Sequence, residues 1–328
     1  MYWHPTLGIL RVKVITDIPR PHILVLNFNG ASDTIECVES ILSDSWIRES
    51  DITVVDNGSN DDSASRIRQS LPGIQVLMVG ENLGYAGGLN FAIRSLLSQD
   101  TKSFLLMNND TIIHKDSIRL MSEDLEEHTD IGIVGPAIIG KGTNVIQSLG
   151  ASIDWYKGET VGRMIGLAYS EVAHSIEEVN YVSGCAMLIR KEVFDKVGML
   201  AQHFFMYGEE ADLCLRASKT RFRVVCDSRA VVEHKVGATA DKYPEMRARF
   251  LTRNKFLFMK RHSDMLQFLS FAAWTFFADL PFRSLLDLNQ GYGLSVPISR
   301  LSGILEGLIL SASEPRILSE GTHNLDKK

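Results

Sequence analysis

Short apolar runs alternate with amphipathic segments from residue 22 onward. HILVLN (22–27), ITVVD (52–56), IQVLMV (74–79) and SFLLMN (103–108) have the length and composition of strands buried on both faces. The segments between them carry apolar residues at helical spacing, as in SDTIECVESIL, where Asp33 and Glu36 also predict a capping box. This alternation predicts an α/β fold with a mostly parallel sheet flanked by helices.

Polar and glycine residues follow each of these four strands. The positions are Asn27 and Asn29, Asp56, the loop 80–88, and Asn108 with Asn109 and Asp110. The carboxyl ends of parallel strands meet at one edge of a sheet, where ligands bind. The sequence therefore predicts a polar ligand on this rim.

The loop GENLGYAGG (80–88) is rich in glycine but lacks the GxGxxG spacing of dinucleotide-binding proteins. No GxxxxGK[ST] phosphate loop follows it, so an NAD or P-loop ATP site is not expected. Gly84 and Gly87 would let the backbone approach a phosphate or a sugar at the start of a helix. A plain strand–helix turn explains the same residues.

Two further positions are candidates for binding a metal ion. A carboxylate at a strand end, Asp110, can hold a hard divalent cation that shares diphosphate oxygens, although Asp also caps turns. RVVCDSRAVVEHKVG (223–237) predicts a strand pair in which His234 ends an apolar run and could share that metal, or serve as a structural hydrogen-bonding group.

The acidic segment FFMYGEEADLCLRA (204–217) begins a predicted helix. Asp212 and Arg216 can pair at i,i+4, while Glu210 points elsewhere. This spacing favours one acid held by structure and one left for chemistry. A solvated helix start, in which acids are stabilised by the helix dipole, is the alternative.

Composition narrows the class of protein. The chain has 328 residues, four scattered cysteines and a formal net charge of −6, so we expect reduced thiols, no disulfide framework and no nucleic-acid partner. The first 21 residues show no secretory leader pattern, which favours a cytoplasmic protein.

The C-terminal third departs from this average. Residues 235–263 contain eight Lys and Arg against two acids, and MLQFLSFAAWTFFA (265–278) follows without a charge. Fourteen residues are too few to span a bilayer comfortably, so the pattern predicts a helix lying in an anionic membrane surface. A helix buried against the α/β domain, or a contact in a homodimer, is the alternative.

Eight segments, in order between residues 22 and 256, resemble the inverting nucleotide-sugar glycosyltransferases of family 2, which have the GT-A fold. Within that family the resemblance is to the bacterial rhamnosyltransferase-like branch. The matching segments are LVLNFNGASDTIECVESIL, VVDNGSNDDS, ENLGYAGGLNFAI, FLLMNND, YVSGCAMLIRKEVFDKVG, FFMYGEEADLCLRA, VEHKVGAT and RNK.

The resemblance implies a role for each matching residue. Glu210 would be the catalytic base, beside Glu209. Asp110 and His234 would bind Mg²⁺ or Mn²⁺. The remaining residues fall into a nucleotide-sugar set, Asn27, Asn29, Asp56, Asn82, Gly84, Gly87, Asn108 and Asn109, and an acceptor set, Ser183, Gly184 and Arg253.

Four positions depart from the family pattern. Asn108 replaces the first Asp of the DxD motif, which gives His234 more weight as a ligand. Glu210 replaces the usual Asp and is one methylene longer. Ala201 and Gln202 stand where the family often has Asp-Glu, so recognition of the sugar or acceptor is expected to differ.

The resemblance implies a metal-dependent glycosyltransferase of bacterial surface polysaccharide synthesis, peripheral at the inner face of the cytoplasmic membrane. The donor would be dTDP-rhamnose first and a UDP-sugar second, and the acceptor a glycan or a polyprenyl-diphosphate-linked sugar. We expect a catalytic domain over 1–240, with halves at 22–135 and 136–240, and a helical region over 241–328. A sugar nucleotidyltransferase and a non-catalytic nucleotide-sugar-binding protein are the alternatives.

Overall fold

The computed structural model describes residues 18–97, 100–235 and 243–313. The chain start and the expected domain boundary at residue 240 lie outside these ranges, so the division into two domains stays a prediction.

Within the described ranges, ten strands form one mixed sheet, and two more form a separate hairpin. The strands are β1 (His22–Asn27), β2 (Ile52–Asp56), β3 (Gln75–Met78), β4 (Ser103–Asn108), β5 (Thr111–Ile113), β6 (Ile131–Gly140), β7 (Ile146–Ser148), β8 (Ala151–Asp154), β9 (Glu159–Gly162), β10 (Ile176–Glu178), β11 (Ala186–Arg190) and β12 (Arg223–His234). The main path runs in the order β10-β12-β6-β11-β4-β1-β2-β3.

The predicted α/β fold is confirmed, and the strand directions refine it. β3, β2, β1 and β4 are parallel neighbours, which is the part that the apolar runs predicted. β11 runs antiparallel between β4 and β6, and β12 pairs parallel with β6. The sheet is therefore parallel in its first half and mixed in its second.

Helices cover both faces of the sheet and then form a C-terminal layer. They are α1 (Ala31–Leu42), α2 (Ser63–Ser70), α3 (Gly84–Leu96), α4 (Ser117–Glu127), α5 (Lys191–Val197), α6 (Glu209–Ser218), α7 (Pro244–His262), α8 (Met265–Trp274), α9 (Leu280–Asn289) and α10 (Ser295–Ser313). One apolar core packs α1, α2 and α4 on the sheet, and a second packs α3, α5 and α6 on its other face.

Two local predictions need correction, and one element was missed. The segment predicted as a strand pair is the single strand β12, whose register shifts between Asp227 and Val231. The hairpin β8–β9 was not predicted. The capping box predicted for Asp33 and Glu36 does not form at α1. The N-cap of that helix is Gly30, so Asp33 already lies inside its first turn.

The apolar C-terminal segment is longer than its uncharged part. α8, a π-helical turn (Thr275–Asp279) and α9 form one continuous helix, Met265–Asn289, which is long and apolar enough to cross a membrane by length and composition. The expectation that this helix is too short to span a bilayer is therefore wrong. The helix does not end with the uncharged segment but continues past Asp279, its first charged residue.

α7 and α10 pack closely because α10 presents glycine to α7. A β-carbon on Gly303 would lie 2.4 Å from the carbonyl oxygen of Arg249, and one on Gly307 would lie 2.6 Å from that of Arg253. Phe256, Phe271 and Ile304 are buried where α7, α8 and α10 meet. The C-terminal helices thus have a small core of their own.

Candidate active site

A buried pair of side chains lies beneath the rim at the carboxyl ends of the parallel strands. Asn27 at the end of β1 donates to the Asp56 carboxylate at the end of β2 at 2.8 Å, and the other Asp56 oxygen accepts from the Ser59 N–H at 3.0 Å. Both side chains are 0% exposed. The implied contact with base and ribose is therefore not available to either side chain here, and the geometry supports a role in shaping the rim.

The next rim residues organise the loops that face solvent. Asn29 is exposed at φ 52°, and its side-chain oxygen accepts from the Asn60 N–H at 2.9 Å. The Asn82 oxygen accepts from the Gly84 N–H at 2.9 Å and from the Asn57 amide at 3.1 Å. Asn57 directly follows Asp56 and belongs to the rim that the sequence predicted, although the family resemblance gave it no role.

The glycine loop rests on the segment that precedes the candidate base. Gly84 has φ 73°, and a β-carbon there would lie 2.3 Å from the carbonyl oxygen of Phe205. The next N–H, of Tyr85, donates to that same oxygen at 2.7 Å. A β-carbon on Gly87 would lie 2.5 Å from the β-carbon of Leu83, so this glycine keeps the turn tight. The predicted nucleotide loop and the loop before Glu210 are therefore neighbours.

Asn108 and Asn109 have different surroundings. The Asn109 amide donates to the Thr34 hydroxyl at 3.0 Å and to the Gly30 carbonyl at 3.3 Å, which turns this side chain toward the start of α1. Asn108 ends β4, and its N–H donates to the Cys185 carbonyl at 2.9 Å. The strand end is thus fixed from both sides.

Asp110 and His234 come together although 124 positions separate them. Asp110 Oδ1 lies 3.3 Å from His234 Nε2. Asp110 Oδ1 is buried and has no hydrogen-bond partner among the described residues, so the two atoms meet without the alignment of a hydrogen bond. The other ring nitrogen of His234 lies 3.3 Å from the Gln147 side-chain oxygen, which orients the ring.

This pair fits a divalent cation. An unpartnered carboxylate oxygen beside an imidazole nitrogen is a suitable donor set for Mg²⁺ or Mn²⁺. Among the described residues no three His, Cys, Asp or Glu side chains converge. Of the His, Cys, Asp and Glu side chains that the structure describes, a cation held here would therefore contact only these two.

Lys235 fixes the strand end that carries His234. Its ammonium group contacts Asp33 at 2.5 Å and Glu36 at 2.6 Å, and its N–H donates to the Asp110 carbonyl at 3.0 Å. The two acids that predicted a capping box thus tie α1 to β12. These contacts hold the pair Asp110 and His234 in register with the rim.

The two acids at the start of α6 differ in exposure. Glu209 is 4% exposed, and its Oε2 has no hydrogen-bond partner among the described residues. Glu210 is half-buried and lines a cavity, and its Oε2 accepts from the Gly208 N–H at 3.0 Å. Burial raises the pKa of Glu210, and burial together with the charge of Glu210 raises the pKa of Glu209 well above its usual range.

Asp212 is the acid held by structure, as predicted from its spacing. It pairs with Arg216 at 2.8 Å, and His262 and Arg261 of α7 each approach it at 2.8 Å. Burial would raise the pKa of Asp212, but the hydrogen bond from His262 and the charge of Arg216 outweigh burial and lower it to about 2. The network ties α6 to α7.

The backbone before Glu210 is strained. Phe205, Tyr207 and Gly208 have φ values of 64°, 71° and 97°. Each non-glycine residue in this region costs about 1–3 kcal/mol, so surrounding contacts must hold it. Asn254 on α7 supplies them, because its amide donates to the carbonyls of Met206 at 2.6 Å and Tyr207 at 2.8 Å. Asn254 was missed as a functional residue, although it is the middle residue of the RNK segment.

Arg253 also holds this loop. It is 9% exposed, and its guanidinium donates to the carbonyls of His203 at 3.0 Å and Phe204 at 2.7 Å. Its guanidinium carbon lies 4.4 Å from the ring centroid of Phe250. The implied contact of Arg253 with an acceptor therefore does not fit its geometry, and we assign it a positioning role.

The acceptor-side stretch joins the two loops. The Tyr85 hydroxyl donates to the Gly184 carbonyl, and a β-carbon on Gly184 would lie 3.5 Å from the β-carbon of Glu210. The Ser183 hydroxyl contacts the Cys185 sulfur at 3.2 Å. Gly184 thus lies between the glycine loop and the candidate base. The Ser183 hydroxyl, in contrast, contacts a residue of its own segment.

A cavity of about 500 Å³ opens beside Glu210. The catalytic side contributes the hairpin β8–β9 and the start of α6, and the opposite wall comes from α7, the π-helical turn, α9 and α10. The charged and aromatic lining residues are Glu159, Tyr181, Tyr207, Glu210, Lys255, Phe258, Asp279, Arg283 and Arg300.

Comparison with known proteins identifies the class to which this fold and site belong. The model of the family "Glycosyl transferase family 2" matches residues 22–198. The chain belongs to that family, has the GT-A fold and is a glycosyltransferase. The expected family, fold and enzyme class are thereby confirmed.

Two curated relatives cover most of the chain. It is 29% identical over 244 residues to the low-salt glycan biosynthesis hexosyltransferase Agl10 of Haloferax volcanii, which covers 71% of this chain and 75% of that protein. It is 26% identical over 251 residues to the N-acetylglucosaminyl-diphospho-decaprenol L-rhamnosyltransferase of Mycobacterium tuberculosis, which covers 70% and 78%.

A solved structure shares the fold over nearly the whole chain. This is a mannosyltransferase from Pyrobaculum calidifontis in complex with GDP-Man and Mn²⁺, at a TM-score of 0.56 and 16% identity, covering 90% of this chain and 87% of that one.

Proposed function

We propose that this protein transfers a sugar from a nucleoside diphosphate to a carbohydrate acceptor with inversion at the anomeric carbon. The observation that carries the proposal is Glu210, which lines a cavity beside the predicted nucleotide loop. Family membership supports glycosyl transfer over the two alternatives, nucleotidyl transfer and non-catalytic binding.

Glu210 is the proposed general base. The acceptor hydroxyl oxygen forms a bond to the anomeric carbon as the bond from that carbon to the diphosphate oxygen breaks, and the hydroxyl proton passes to Glu210. Gly208 donates to one Glu210 oxygen, which orients the carboxylate. Glu209 does not line the cavity and Asp212 is held by Arg216, so neither is available as a nucleophile. A single base favours inversion, by the logic that separates the two glycosidase mechanisms.

Asp110 and His234 are the proposed ligands of Mg²⁺ or Mn²⁺. When bound, such a cation acts as a Lewis acid that stabilises charge on the leaving diphosphate. The buried, unpartnered oxygen of Asp110 supports this assignment, as does the Mn²⁺ in the mannosyltransferase complex. The proposed donor-side residues are Asn29, Asn82, Gly84, Gly87, Asn108 and Asn109, with Asn27 and Asp56 shaping the rim beneath them.

The donor we propose first is dTDP-rhamnose, ahead of a UDP-sugar. The mycobacterial relative, named as an L-rhamnosyltransferase acting on a decaprenyl diphosphate acceptor, supports this choice at 26% identity. By the same relationship we propose a lipid-linked acceptor in cell-envelope polysaccharide synthesis, at the cytoplasmic face of the membrane.

The C-terminal helices are the proposed membrane contact. Phe277, Leu266 and Ile309 are 87%, 69% and 71% exposed, which leaves a broad apolar face. Residues 243–313 hold eight Lys and Arg against five Asp and Glu, opposite in sign to the whole chain at −6. A cationic segment with an apolar face is suited to an anionic lipid surface.

The continuous helix 265–289 would lie in the membrane plane rather than cross it. Its charges Asp279, Arg283 and Asp287 recur every four residues and therefore share one face. Asp279 pairs with Lys255 on α7, a helix with six Lys and Arg that could not enter the hydrocarbon core. The exposed apolar face alone is available to lipid.

The test of the function is a donor panel. Purified protein with Mn²⁺ is given dTDP-rhamnose, GDP-mannose and UDP-sugars with a short-chain prenyl-diphosphate-linked N-acetylglucosamine, and release of nucleoside diphosphate is measured. Release that depends on the acceptor with one donor supports the proposal. In a parallel reaction supplied with dTTP and a sugar 1-phosphate, release of inorganic pyrophosphate would support nucleotidyl transfer instead.

A further inference from the structure

The cavity beside Glu210 has a wall that the family match does not cover. The match ends at residue 198, whereas the π-helical turn and Lys255 belong to the C-terminal helices. At about 500 Å³ the cavity has the size of a small-molecule site.

Thr275 is the first residue of the π-helical turn, and its side-chain hydroxyl belongs to this wall. The residue is 2% exposed and lines the cavity, yet its hydroxyl has no hydrogen-bond partner among the described residues. A helical threonine ordinarily bonds the carbonyl four residues earlier. π-Helical turns are frequent at functional sites, and a buried polar group without a partner costs stability unless a ligand satisfies it.

The three cations of the cavity lining are already paired with carboxylates. Lys255 lies 3.5 Å from Asp279, Arg283 contacts the same carboxylate at 2.6 Å, and Arg300 forms a bidentate pair with Asp287 at 2.8 and 3.0 Å. Glu159, which accepts from the Trp274 indole at 3.3 Å, adds a further negative charge to the lining. A phosphate would have to break these pairs and face three carboxylates.

A neutral, hydroxyl-rich ligand fits these surroundings better than an anion. Carboxylates accept from hydroxyl groups and ammonium or guanidinium groups donate to them, so the pairs can remain intact while they bind a sugar. Tyr181, Tyr207 and Phe258 add aromatic surface for the apolar face of a pyranose ring.

The hairpin β8–β9 is pressed against this wall. A β-carbon on Gly158 would lie 2.7 Å from the Phe271 ring, and Trp155 stacks on Phe258 with centroids 6.1 Å apart. Hairpin and helices therefore form one enclosure that ends at Glu210.

From these observations we propose that the cavity binds the carbohydrate part of the acceptor, and that Thr275 and Lys255 on its far wall determine which sugar is accepted. The inference rests on the proposed function, since Glu210 is the base only if the chain transfers a sugar. It adds the C-terminal helices as the specificity-determining wall.

The test is equilibrium binding without nucleotide or metal. Wild-type protein is titrated by NMR with p-nitrophenyl glycosides of N-acetylglucosamine, galactose and mannose, and separately with inorganic pyrophosphate. We expect at least one glycoside to bind, and Thr275→Val to weaken it roughly five- to tenfold while its melting temperature stays equal or rises. Lys255→Met is the second variant, and is expected to weaken the same glycoside.

Thr53→Val is the matched control. Thr53 is equally buried but bonds His22 at 2.9 Å and Gln75 at 3.3 Å far from the cavity, so it should lose stability and keep glycoside affinity. Failure of every glycoside to bind, an unchanged Thr275→Val, or pyrophosphate binding in their place would overturn the inference. Calorimetry of a nucleoside diphosphate with Mn²⁺ distinguishes a failure of this inference from a failure of the proposed function. If the nucleoside diphosphate still binds, the proposed function is not contradicted.

Discussion

The side-chain amide of Asn254 donates to the backbone carbonyl of Tyr207 at 2.8 Å and thereby holds the strained turn from which Glu210 projects. The contact joins a C-terminal helix to a loop of the catalytic sheet. Activity should therefore depend on a residue that touches no reacting atom.

Asn254→Asp tests this positioning role. The carboxylate would set oxygen against the carbonyls of Met206 and Tyr207, and a displacement of the order of 1 Å at the base costs about 10²-fold in rate. We expect kcat to fall by that order while donor affinity stays unchanged. Asn144→Asp, at an exposed amide that bonds Ser170, is the control and should retain full activity. Equal kcat in both variants would contradict the role.

Asp110→Ala tests the cation site. Without the carboxylate, Mn²⁺ should no longer strengthen the binding of a nucleoside diphosphate, because His234 alone remains as a protein ligand at the rim. Isothermal titration with dTDP, with and without Mn²⁺, gives the comparison. Asp195→Ala, at an exposed carboxylate on α5, should behave as wild type. A metal effect that survives in Asp110→Ala would remove this assignment.

Asp212→Asn tests the network between α6 and α7. Removing one partner of a buried charge pair costs about 3–5 kcal/mol, so the free energy of unfolding should fall by that amount at pH 7. Asp130→Asn breaks an exposed pair with Arg223 and should cost at most about 1 kcal/mol in the same urea titrations. Similar losses in both variants would mean that the buried network does not stabilise the fold.

The same network predicts a pH dependence. The pKa of Asp212 is about 2 in the folded state, below that of an unfolded Asp, so its contribution is complete above the unfolded value. It should be lost as the pH falls from about 4 to about 2. The wild-type advantage over Asp212→Asn in the free energy of unfolding should narrow across this window, and a constant difference would contradict the assignment.

Phe277→Glu tests the membrane contact. A charge at a side chain that is 87% exposed on the apolar face should reduce flotation with vesicles of anionic lipid and leave the melting temperature unchanged. Ile165→Glu, at a 60% exposed position outside the C-terminal helices, is the matched control and should float as wild type. Light scattering that shows a dimer dissociated by Phe277→Glu, with no vesicle binding, would assign the face to a second copy instead.

The first half of the sheet could be predicted from sequence because its elements follow from residues that are close together in the chain. Strands β1 to β4 are apolar runs whose carboxyl ends carry the polar residues, so both element type and rim follow from the pattern. The pairing of Asp212 with Arg216 followed from helical spacing in the same way. The meeting of Asp110 with His234 depends on β12 pairing antiparallel with β5, which sets His234 opposite Thr111. The residue pattern allowed this meeting only as one of two readings of His234, and the family resemblance favoured it.

The second half depended on contacts between distant segments. The burial of Arg253 against two carbonyls is set by α7 docking on the loop before Glu210, which no spacing rule contains. The hairpin β8–β9 has a Gly158 turn as its only strong local signal, and Thr275 is unremarkable until the π-helical turn puts it in the cavity wall.

The central claim is that Glu210 removes the acceptor proton during glycosyl transfer, and Glu210→Gln tests it most directly. With the donor found in the panel, the account predicts that transfer falls about 10²- to 10⁴-fold while calorimetry shows unchanged donor affinity in the presence of Mn²⁺. Glu39→Gln, at an exposed carboxylate on α1, should transfer at the wild-type rate. Transfer by Glu210→Gln at a rate near that of wild type would contradict the account.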